Sequence, residues 1–143
     1  MVFQIGVPKN GWVSIAIKHS NFSIQLDISK VPNDPIAQLS HALIMISDGI
    51  KGVFETELNL EPEMYYLTLE RIDDKYTFTL RYSKEYHSSK KDIYSTKGNK
   101  NEIIMPIYRA LMNFYSYNYS EPNWSSQEKE IANKLKTKVK NSP

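Results

Sequence analysis

Residues 54–74, FETELNLEPEMYYLTLERIDD, carry the reading on which the fold turns. They form two alternating strands joined at Glu61-Pro62-Glu63, and period-two alternation marks strands with one buried face. Four of the first ten residues, Glu55, Glu57, Glu61 and Glu63, are acidic. Met64, Tyr65 and Tyr66 follow at once and are expected to be shown alongside them. Glu55 and Glu57 are two apart, so on a strand they share a face. Acid concentrated beside aromatic residues describes a contact surface better than a catalytic pocket.

Working outward, residues 12–28 read as a hairpin. Val13, Ile15 and Ile17 alternate with polar or small residues, as do Phe22, Ile24, Leu26 and Ile28, around a turn at His19-Ser20-Asn21. Asp34-Pro35 then predicts a helix start, since the carboxylate can accept from unpaired first-turn amides and proline needs no donor there. Ile36, Leu39, Leu43, Ile46 and Ile50 make its apolar stripe, and Gly49 or Gly52 its stop. Strands are expected at 53–60, 64–72 and 75–83. Residues 84–101 hold five lysines, and either a short strand near Ile93-Tyr94 or a loop fits them. Pro106 places the start of a second helix near Met105, running to about Tyr117 with Ile107, Ala110, Leu111 and Phe114 inside. A last helix is expected over 126–138, capped by Ser125 or Ser126. The pattern predicts one α+β domain over 1–143: an antiparallel sheet of about five strands with two or three helices mainly on one face.

At 143 residues and 41% hydrophobic content the chain can build a core. No cysteine is present, which removes disulfides, thiolate zinc sites and cysteine nucleophiles. His19, His41 and His87 stand at no metal-ligand spacing, so neither a metal nor a cofactor is expected. The five glycines are isolated, which excludes a phosphate-cradling loop, and there is no Gly-x-Ser-x-Gly elbow. No signal peptide is expected at the N-terminus, and no apolar run is long enough to span a bilayer, so a cytoplasmic location is expected. The net charge of +2 arises in the tail: from Ser125 onward five lysines face two glutamates. Tyr108, Tyr115, Tyr117 and Tyr119 could stack bases, yet 112–124 contains no lysine or arginine to hold phosphates. Core closure is the better reading of these rings.

The order of elements resembles a known group. Gly11-Trp12 opens a hairpin; Val31 to Asp34 leads into an apolar helix ending near Asp48-Gly49; a strand runs into Glu61-Pro62 and then YLTLER at 66–71; Tyr119 and Trp124 precede a final amphipathic helix. This resembles small bacterial immunity proteins of polymorphic toxin systems, including contact-dependent growth inhibition. The resemblance implies a cytoplasmic, non-enzymatic protein that binds a cognate toxin domain and blocks its active site. The residues themselves nominate the surface: Glu55, Glu57, Glu61 and Glu63 would match a basic toxin such as a nuclease, with Tyr65, Tyr66 and Trp124 as anchors. The mildly basic overall charge departs from the usual acidity of nuclease inhibitors. The alternative is a nucleic-acid-binding module using the lysines of 84–100 and 129–140. An enzyme or ligand-binding protein would need a deep polar pocket that no motif announces.

Overall fold

The computed structural model describes residues 1–117 and 129–143. One antiparallel sheet runs in chain order through β1 (Val2–Ile5), β2 (Trp12–His19), β3 (Phe22–Ser29), β4 (Val53–Asn59), β5 (Met64–Ile72), β6 (Lys75–Ser83) and β7 (Lys91–Gly98). Among the described residues the helices are α1 (Pro35–Ser47), α2 (Lys100–Ser116) and α3 (Lys129–Asn141). The class is α+β, but among the described residues the sheet has seven strands and not five. The two additional strands are its edges. β1 is only four residues, too short to display a period, although Phe3 and Ile5 turn inward and Val2 and Gln4 outward. β7 is disguised by lysines, as edge strands often are, and by a register shift opposite Leu80/Arg81 that leaves Ile93 39% exposed.

Cross-strand partners share a face, and the register puts Val13, Ile15, Ile17, Leu26, Ile28, Leu58, Leu67, Leu69, Phe78 and Leu80 together on one side. Ile36, Leu39, Leu43 and Ile46 of α1, Ile107, Leu111 and Phe114 of α2, and Leu135 and Val139 of α3 complete this core. The sheet is weakly joined at its middle, where β3 meets β4 only through Ser29 and Asn59. There α1 substitutes for the missing ladder: Gln38 Oε1 accepts from the Glu57 amide at 3.0 Å. The far tip of β3 stacks Phe22 on Tyr94 of β7, with ring centroids 4.3 Å apart.

Helix ends follow local chemistry. Asp34 accepts from the Ile36 and Ala37 amides. Gly49, at φ +79°, ends α1; its amide reaches Ile46 O and the Ile50 amide reaches Met45 O, the paired bonds of a Schellman turn. Ile50 therefore lies past the helix and is 44% exposed, so it leaves the predicted stripe. α2 begins at Lys100, five residues before the predicted start. Asn99 accepts from the Glu102 amide while Glu102 accepts from the Asn99 amide. That capping box stabilises a first turn that the proline rule alone would discard, and Pro106 sits buried one turn further in. A Cβ at Gly98 would stand 3.0 Å from Glu102 Cβ, so a larger residue there would require the capping glutamate to shift. α3 extends to Asn141, three residues beyond expectation, because Lys100 Nζ donates to the Val139 and Ser142 carbonyls at 2.6 Å and caps its end. Its expected first residues and caps, 125–128, lie outside the described residues.

Thr56 is fully buried, and its hydroxyl has no hydrogen-bond partner among the described residues. Thr56→Val is expected to be neutral or to raise unfolding free energy by about 1 kcal/mol, since it removes an unpaired polar atom at constant shape. A urea titration showing a loss above that size would assign the hydroxyl a structural bond.

Candidate protein-binding site

Glu55 pairs with Thr68 and Glu57 with Tyr66, so both carboxylates lie on the sheet face away from the helices, as their spacing requires. Leu58 pairs with Tyr65, which places Tyr65 on the helix side. The two neighbouring tyrosines therefore face opposite ways. Tyr65 is half-buried with its ring 5.2 Å from that of Tyr82.

Tyr66 needs a correction. It is 3% exposed and Met64 2%, although both lie on the open face. The β6–β7 connection folds back over them: Lys90 Nζ sits 4.0 Å above the Tyr66 ring and 3.1 Å from Glu55 Oε2. A cation over an aromatic face, held by a carboxylate, covers the ring that the sequence offered as an anchor. Trp124 lies outside the described residues.

The four glutamates divide into two kinds. Glu55 is paired with Lys90. Glu57 is half-buried and accepts from Asn33 Nδ2 at 3.2 Å. Glu61 and Glu63 are exposed in the β4–β5 turn. Glu63 accepts from the Tyr82 hydroxyl, whereas the Glu61 carboxylate has no partner among the described residues. Asn59 holds the turn in place: its Oδ1 accepts from the Glu61 amide and its Nδ2 donates to Val31 O. Leu60 N donates to Glu63 O at 2.8 Å and closes the turn. Glu61, at φ +52°, is thereby fixed in an unusual backbone conformation and turned outward.

Beside this turn lies an open cavity of about 470 Å³, lined by Pro32, Asn59, Glu61, Pro62, Met64, Glu85 and Tyr86. Three connections meet there: β3–α1, β4–β5 and β6–β7. Val31 at its margin is 63% exposed and Tyr86 48%. Sequence reasoning named neither Pro32 nor Tyr86. The only local signal was an apolar Val-Pro and a tyrosine in a polar segment.

The tyrosines feel the acid. Burial first, then Glu57, Glu55 and Tyr86, raises the Tyr66 phenol above its ordinary value near 10. Burial and then Glu63 raise Tyr65, and for Tyr82 the hydrogen bond to Glu63 leads. The folded state holds these protons more tightly than the unfolded chain does. Their contribution is thus complete below about pH 10 and is lost as pH rises through the folded values. Melting temperature is expected to fall above that pH, and to fall less steeply in Tyr66→Phe; equal slopes would show that Tyr66 is not part of the effect.

Elsewhere, a cavity of about 640 Å³ between β1 and α2 has one charged side chain in its lining, Arg109. Among the described residues no group of three or more His, Asp or Glu is placed to hold a metal ion, and no helix is long and apolar enough to cross a membrane. His41 is exposed on α1, and the His19 ring shares a hydrogen bond with the Tyr94 hydroxyl. Of the lysines in the two basic segments, Lys90 is paired with Glu55, Lys138 with Asp48 at 2.8 Å, and Lys100 is spent on carbonyls. Compared with known proteins, the chain matches no family model, no curated protein and no solved structure.

Proposed function

We propose that this chain is an immunity protein: it binds a cognate bacterial toxin domain through the acidic β4–β5 end and so blocks that domain's active site. The observation that carries the reading is the turn itself. Glu61 and Glu63 project from a rigid, hydrogen-bonded turn next to exposed apolar residues. Fixed charge speeds capture of a basic partner, and a preformed surface lowers the entropic cost of binding. In this reading the chain acts in the bacterial cytoplasm, without a catalytic centre of its own. The nucleic-acid alternative is weaker, because three of its cations are already engaged within the molecule and a phosphate chain would meet the glutamates.

The experiment is genetic and then biochemical. The C-terminal domain of the product encoded immediately upstream is expressed in a bacterial host with and without this chain. Killing that this chain relieves, together with a stable complex of the two purified proteins, is the expected result. An upstream product that is harmless, or toxicity that this chain does not relieve, would sink the proposal.

A further inference from the structure

We infer that the cavity between Pro32, Pro62, Met64 and Tyr86 seats an apolar side chain of a basic protein partner, one flanked in its own chain by lysine or arginine. The inference rests on the protein-binding reading above and names the partner's chemistry at that site.

Three observations carry it. The cavity is built and not incidental. Its walls are tied by Asn59 to Val31 O and the Glu61 amide, and by bonds from the Ser83 hydroxyl (2.6 Å) and Ser88 amide (3.2 Å) to Glu85 O. Rings and a thioether line its apolar part; Met64 is buried, whereas Tyr86 is 48% exposed and presents its ring to solvent. Tyrosine in such a setting is a common hot-spot residue. Finally, the charged side chains of the lining are both carboxylates, Glu61 and Glu85, with no lysine or arginine among the lining residues. An apolar occupant is welcome in the cavity, and a cation beside it meets complementary charge at the rim. A phosphate backbone or an anionic lipid surface would be repelled at the same rim.

The test has two arms. In the first, the isotope-labelled chain is titrated with the peptide acetyl-Lys-Leu-Leu-Lys-amide, and amide shifts are followed by NMR. Saturable shifts confined to the neighbourhoods of Pro32, Met64, Glu85 and Tyr86 are expected. They should weaken at least about fivefold with Glu in place of Lys, with Ser in place of Leu, or in Tyr86→Ala, a solvent-exposed position whose unchanged melting temperature shows that the fold is intact. No saturable shift, equal shifts with the acidic peptide, or the same shifts with a single-stranded oligonucleotide overturns the inference. In the second arm, Tyr86→Ala and Glu85→Lys are each expected to weaken binding of the upstream toxin domain at least about tenfold. Unchanged toxin binding in both variants overturns the cavity's role while the immunity reading stands. Absence of toxin binding by the unaltered chain overturns the immunity reading, and the peptide arm then judges the cavity alone.

Discussion

Leu43→Ala is expected to lower the unfolding free energy by about 2–5 kcal/mol, the largest stability effect among the substitutions considered. Leu43 of α1 is fully buried in the core, as are Leu39 and Ile46 on the same stripe. Truncation removes its transfer free energy and leaves a cavity in a close-packed core that relaxes only partly. Domains of this size are typically stable by about 5–15 kcal/mol, so the variant would lose a large share of its margin. Urea unfolding followed by circular dichroism reads the change directly. A loss below about 1 kcal/mol would mean that Leu43 does not belong to the core.

The second large effect concerns binding and not folding. Replacing Glu61 and Glu63 together by lysine is expected to slow association with the proposed toxin domain at least about tenfold at low salt, because steering by the turn's charge is reversed. Near 1 M salt, where the screening length shrinks to about 3 Å, the two association rates should converge. The folding cost is small: the Glu61 carboxylate has no partner among the described residues, and Glu63 gives up one solvent-exposed bond from Tyr82. Stopped-flow measurements at several ionic strengths test this. An unchanged low-salt rate would place the contact surface elsewhere on the molecule.

Local rules served well where each residue's role depends on near neighbours. The strands Met64–Ile72 and Lys75–Ser83 lie where the alternation put them, and Asp34-Pro35 begins α1 through the predicted cap. The capping box at Asn99 and Glu102 was equally local; giving the proline rule precedence is what moved the expected start of α2 to Met105. β1 and β7 escaped for a different reason. Their membership depends on partners fifteen or so residues away, and edge strands shed the apolar periodicity that interior strands display.

The amino-acid sequence alone determined the α+β class, the faces of the interior strands and the concentration of acid around residue 61, because periodicity and charge are properties of adjacent residues. Tertiary structure decided which of those residues a partner can reach. The β6–β7 connection buries Tyr66 beneath Lys90, pairs Glu55, and brings Tyr86 to the cavity that Pro32 and Pro62 line from distant parts of the chain. Accessibility depends on what folds over a residue, and the covering lysine here, Lys90, is 35 residues from the glutamate it pairs.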